Sequence, residues 1–102
     1  MNILVFGRGK DLLTTANRLA QEGHKLSAIV TANSEPYHGT SPKDYESLAL
    51  QVGCPFLLVT RRKQVSFFDL LSVIKPELAV SVNWPFILDE EDLLKIGNRV
   101  LN

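Results

Sequence analysis

Short, wholly apolar runs alternate with longer stretches of helical period along this chain, and that alternation limits the folds open to it. "NILVF" (2–6) is continuously apolar, as in a strand covered on both faces. "GRG" (7–9) breaks it, and residues 10–24 then place Leu12, Leu13, Ala16, Leu19 and Ala20 at helical spacing, with Gly23 as a stop. "KLSAIVT" (25–31) is a second strand, followed by a polar loop of turn formers (32–42). Ser41 and Pro42 open a helix as cap and first residue, and Gly53 closes it. "PFLLVT" (55–60) is a third strand and "RRKQV" (61–65) a basic loop. Ser66, with Asp69 three residues on, caps a helix that Pro76 ends. A fourth strand (77–83), an apolar loop "WPFIL" (84–88), an acidic-started helix (89–97) and the start of a fifth strand (99–102) complete the order.

The resulting βαβαβαβαβ pattern predicts a parallel sheet with right-handed crossovers and helices on both faces. The fold class is α/β, a Rossmann-like doubly wound sheet of order 3-2-1-4-5, formed by residues 1–102 as one domain and incomplete at its carboxyl-terminal side. Ligands of such sheets bind beyond the carboxyl ends of the strands, at the switch point between strands 1 and 4. Gly7–Lys10, Asn83–Leu88 and Asn102 are expected to converge there.

Composition narrows the functional classes. The 11 basic and 11 acidic residues cancel, which offers no charge-held nucleic-acid or membrane partner. No run approaches the roughly 20 apolar residues of a membrane span, and the first ten residues do not read as a secretory signal. Cys54 is the only cysteine, so no internal disulfide can form, which suits a reducing cytoplasm. It reads as a small, partly buried thiol. Two distant histidines and one cysteine make no structural zinc site.

"GRGKDL" starts like a dinucleotide fingerprint, but Leu12 stands where the third glycine belongs, and no acidic residue directly follows the second strand. What survives is a glycine turn at a helix start, able to offer free N–H groups to an anion beside Lys10, or simply a tight strand–helix turn. "NWPFIL" places an indole, a proline, a phenylalanine and two aliphatics in a loop. It reads either as a plug over the next helix or as the wall of an apolar pocket for a flat ligand. "RRK" (61–63) reads either as a solvated loop or as a holder of a phosphate or carboxylate tail, and His38 either as a solvent-facing histidine or as a residue that touches a substrate, the first reading of each being the commoner.

Residues 77–102, "ELAVSVNWPFILDEEDLLKIGNRVLN", resemble the end of the first half of the folate-dependent formyltransferase catalytic domain. That family shares a strand, an apolar loop ending in two aliphatics, an acidic helix and a G-x-x-N passage whose asparagine opens an N-x-H motif. The resemblance is detailed from residue 77 onward; the earlier residues match in element order.

Several expectations follow from the resemblance. Asn102 is the catalytic asparagine, donating to the oxyanion of the formyl group. Trp84, Pro85, Phe86, Ile87 and Leu88 wall the pterin pocket of 10-formyltetrahydrofolate, the co-substrate. Gly9 and Lys10 meet the anionic group of a small-molecule amine acceptor. The family's histidine and aspartate are missing, so these residues form a fragment, cut within the motif, that alone does not turn over. Its open sheet edge would pair with the rest of its own catalytic domain or with another copy. Two alternatives stand beside it: a self-contained nucleotide-binding or assembly module without catalysis, and a relic that keeps the fold and has lost the site.

Overall fold

The computed structural model describes residues 1–97 and 99–101. Its sheet is five-stranded, all parallel, with the order β3-β2-β1-β4-β5. The strands are β1 (Asn2–Gly7), β2 (Lys25–Ala32), β3 (Phe56–Val59), β4 (Leu78–Val82) and β5 (Val100–Leu101). Helices α1 (Lys10–Gln21), α2 (Pro42–Val52), α3 (Val65–Ile74) and α4 (Glu90–Ile96) lie between them in turn. The order matches the sequence expectation, and the expected elements appear within a few residues of their expected bounds.

The alternation of side chains along β1 explains why its apolar run has no polar face. Ile3 and Val5 pack with Leu12, Ala16, Tyr45 and Leu48 of α1 and α2. Leu4 and Phe6 point the other way, toward Val59, Phe67, Leu71 and Ile96. Leu4, Val5 and Phe6 are fully buried, and burial of side chains of this size stabilises by about 1.5–3 kcal/mol each.

Helix starts follow local chemistry, with one correction. Ser41 caps α2, its N–H donating to Asp44 Oδ2 at 2.8 Å, with Pro42 in the first turn. The α3 helix begins at Val65, so Gln64 takes the cap position expected for Ser66. Gln64 is buried; its Oε1 accepts from Thr60 N at 2.9 Å, and its Nε2 donates to Leu58 O at 3.1 Å and Ser66 Oγ at 2.8 Å. Its longer side chain reaches back to the strand end, which serine cannot do. Among the described residues no helix is long and apolar enough to cross a membrane.

Candidate functional site

Two clefts sit at the carboxyl ends of β1 and β4, and the sheet separates them. The first is built on the β1–α1 turn. Arg8 N–H donates to Val82 O at 3.0 Å, joining the turn to the end of β4. That approach leaves no room at residue 7: a Cβ there would stand 2.1 Å from Val82 O, and φ is +140°. Gly9 precedes α1 with φ +101°, and no side chain caps the helix, so its first-turn N–H groups face outward. Tyr45 of α2, fully buried, holds the turn from below by donating its hydroxyl to Gly9 O at 2.5 Å. Burial pushes its phenol well above the ordinary range.

Residues 8–11, Tyr37, His38, Val82 and Asn83 line a cleft of about 220 Å³ over this turn. His38 is a correction to the sequence reading: it is 8% exposed, not solvent-facing. Pro36–His38 form a 3₁₀ turn in which His38 N–H donates to Glu35 O at 3.0 Å, and His38 Nδ1 accepts from Glu35 N–H at 2.8 Å. This short-range pair folds the imidazole back under the loop. An E-x-x-H spacing was the available signal, and its pull on the ring depends on tertiary packing. Arg8 Nη1 donates to Asn33 O at 2.8 Å, tying the same loop to the turn.

The second cleft belongs to residues 84–88. The loop alternates in exposure, so Trp84, Phe86 and Leu88 turn inward while Pro85 and Ile87 face out. Trp84 meets Phe6 edge-on at 5.3 Å between ring centroids, Phe67 at 5.6 Å and Phe86 at 5.4 Å. The space enclosed between this loop and the β3–α3 loop is only about 20 Å³, room for roughly one water. The inward face is thus a plug, and a pterin ring does not fit beneath it.

The basic loop "RRK" is not simply solvated. Lys63 Nζ bridges Asp89 Oδ2 and Asp92 Oδ1, both at 2.9 Å, and Arg62 Nη2 reaches Asp89 Oδ2 at 3.1 Å. Asp89 and Asp92 also form the α4 capping box, each side chain accepting the other's N–H. The hydrogen bond from Lys63 holds the Asp89 carboxyl well below the usual carboxylate range, and the two aspartates raise Lys63 in return.

Among the sequence-selected residues, Gly9 and Lys10 share the first cleft with Asn83, while Trp84–Leu88 lie on the opposite side of the sheet. Asn102 lies outside the described residues. Cys54 is half-buried and free, and burial raises its thiol, as befits an inert side chain. No group of metal-ligating residues is assembled among the described residues.

A parallel sheet of this order with helices on both faces defines the class: a Rossmann-like α/β fold. No family model matches the chain, and no curated protein sequence does. Its fold is that of formyltransferase amino-terminal domains. It is similar to phosphoribosylglycinamide formyltransferase from Anaplasma phagocytophilum, with a TM-score of 0.69 at 17% identity over 98% of this chain and 47% of that one. Glycinamide ribonucleotide transformylase 1 from Symbiobacterium toebii gives 0.65 at 14%, over 98% and 49%. Phosphoribosylglycinamide formyltransferase from Brucella melitensis gives 0.65 at 15%, over 97% and 54%. The chain spans about half the length of these proteins.

Proposed function

We propose that this chain is the folate-side part of a formyltransferase, which moves a formyl group from 10-formyltetrahydrofolate to an amine. The observation that carries the reading is the fold shared with formyltransferases over nearly the whole chain. The formyltransferase-like passage from residue 77 runs along β4, the 84–88 loop and α4, directly beside the switch point. The open cleft over the β1–α1 turn and the exposed outer side of residues 84–88 add support, since a transferase needs donor and acceptor to approach one point from separate sides.

In this reading the acceptor lies over Gly9 and Lys10, and the donor lies along the outer side of 84–88. Pro85, Ile87 and backbone groups meet its ring, while Trp84, Phe86 and Leu88 hold the loop in shape from within. The acceptor nitrogen bonds to the formyl carbon, the bond from that carbon to the folate nitrogen breaks, and a proton passes from the amine to the folate nitrogen. Asn102 would donate its amide N–H to the oxyanion; a preorganised donor of that kind is worth roughly 3–4 kcal/mol in acyl transfer. Residues 1–102 alone, without the family's histidine and aspartate, are expected to bind and not to turn over. A cytoplasmic setting goes with this reading.

The test is a calorimetric titration with a stable 10-formylfolate analogue. Ile87 is 77% exposed, so Ile87→Asp alters the outer face without disturbing the core. Saturable binding that Ile87→Asp weakens at least about tenfold, with an unchanged unfolding midpoint, supports the proposal. Absence of binding, or displacement of the analogue by NAD, overturns it in favour of a nucleotide-binding module.

A further inference from the structure

We infer that the groove between α3 and α4 is a second ligand site, which takes a flat aromatic monocarboxylate held by Lys75 and Lys95 over an apolar floor. The groove lies at the opposite end of the sheet from the switch point. Pro76 precedes β4, and Gly97 stands between α4 and β5, so both mark the amino ends of their strands. The occupant is therefore neither formyl donor nor formyl acceptor, and the inference does not rest on the function proposed above. The groove holds about 380 Å³, within the range of small-molecule sites. The space under Trp84, by contrast, is only about 20 Å³. Phe68, Leu71, Ser72 and Lys75 follow one another at helical spacing along one side of α3 and its cap, and Ile96 lines the groove from α4. Leu71 and Ile96 are buried and Phe68 is half-buried, which gives a floor without polar groups.

The charges specify the rest of the ligand. No carboxylate lines the groove, and neither Lys75 nor Lys95 forms an ion pair among the described residues. The nearby carboxylates of Asp92 and Glu77 are engaged elsewhere: Lys63 holds the first, and the second accepts Asn2 N–H at 3.0 Å. Ser72 already donates its hydroxyl to Asp69 O at 2.7 Å. That leaves the two ammonium groups as the free side-chain donors of the lining. Both helices end here, and their carboxyl ends carry about half a negative charge each. Two full positive charges outweigh them, so the groove favours a single carboxylate. Lys95 Nζ lies 5.3 Å from the Phe68 ring centroid, which keeps one cation beside the aromatic floor. Lys75 occupies the left-handed cap of α3, φ 42°, where glycine or asparagine is usual. An aromatic carboxylate meets floor and cations at once; a neutral ring gains the floor alone, and an inorganic anion gains the cations alone.

The experiment is an NMR titration of the protein with naphthoate, following backbone amides, with naphthalenemethanol as the neutral counterpart. Wild type should show saturable shifts at Phe68, Ser72, Lys75, Lys95 and Gly97, with Gly9 and Ile87 unmoved. The neutral compound should bind about tenfold more weakly or worse. Lys75→Gly removes one charge and relieves the left-handed backbone. It should weaken naphthoate binding about threefold, with an unfolding midpoint no lower than wild type, and adding Lys95→Gln should bring the loss to about tenfold. Lost affinity without lost stability separates a ligand contact from a role in the fold. Absence of saturable shifts at these amides at millimolar naphthoate overturns the inference. So does equal affinity for the neutral compound, a doubly substituted protein that binds like wild type, or shifts centred on Ile87. The wild-type comparison of the two compounds decides the matter even if a variant fails to fold. Failure here leaves the formyltransferase reading intact, and failure of the 10-formylfolate titration leaves this site intact.

Discussion

Lys63 Nζ lies 2.9 Å from Asp89 Oδ2, joining the β3–α3 loop to the cap of α4 across 26 residues of chain. The same ammonium reaches Asp92, which is buried. Lys63 holds a left-handed backbone, φ 60°, to make these contacts, a conformation that disfavours non-glycine residues. The ion pairs fix the frame on which Trp84–Leu88 are strung.

This pairing sets a pH dependence. The Asp89 carboxyl is lowered, first by its hydrogen bond to Lys63. Its contribution to stability is therefore present above the ordinary carboxylate value of about 4 and is lost as pH falls below it. Lys63 is raised, so its contribution holds below the ordinary lysine value of about 10.4 and is lost at higher pH. Tm measured against pH should drop on the acid side, and Lys63→Met should make that drop shallower. Equal acid slopes in the two proteins would show that the bridge does not matter.

Gly7→Ala should be among the most disruptive single changes available. The added Cβ meets Val82 O at 2.1 Å and Leu12 Cδ2 at 2.9 Å, and the backbone there cannot move without breaking the Arg8–Val82 bond. A loss of more than about 3 kcal/mol is expected in urea unfolding. Gly9→Ala has free space and bears the cost of its backbone, φ 101° and ψ 166°, a region that is essentially glycine-only, of about 1–3 kcal/mol.

Tyr45→Phe removes the hydroxyl that donates to Gly9 O and leaves the buried ring in place. The expected cost is about 1 kcal/mol. Because burial raises this phenol well above its ordinary range, the alkaline absorbance change of the native protein should be the same in the variant. A smaller change in Tyr45→Phe would mean that the phenol is open to solvent.

Trp84→Ala tests whether the inward side of the loop is a plug. The indole touches Phe6, Phe67 and Phe86, so its removal should cost about 3 kcal/mol in chemical denaturation. A variant as stable as wild type would show the ring to be packed too loosely to support the loop.

Much of the fold was legible because each element carries its own short-range signal. The apolar run 2–6 matches a strand buried on both faces, and Ser41–Pro42 encodes a helix start. The strand order also came out as expected, since right-handed crossovers leave few arrangements for this alternation. The candidate site was less legible. "NWPFIL" left a plug and a pocket wall equally open, because hydrophobicity does not say which side of a loop faces the core. Ser66 looked like a cap until Gln64, through contacts to Leu58 and Thr60, took the position. His38 looked exposed because polar loops usually are.

The sequence by itself determined the order of elements, the doubly wound class and the meeting of Gly9, Lys10 and Asn83 at the ends of β1 and β4, because periodicity and turn chemistry act over a few neighbouring residues. Only the tertiary structure decided which side of the sheet each candidate occupies. It paired Lys63 with aspartates distant in sequence, closed the space under Trp84 and Phe86, and buried His38 beside the start of α1. Those outcomes depend on packing between segments far apart in the chain, where burial and the pairing of polar groups override local preference.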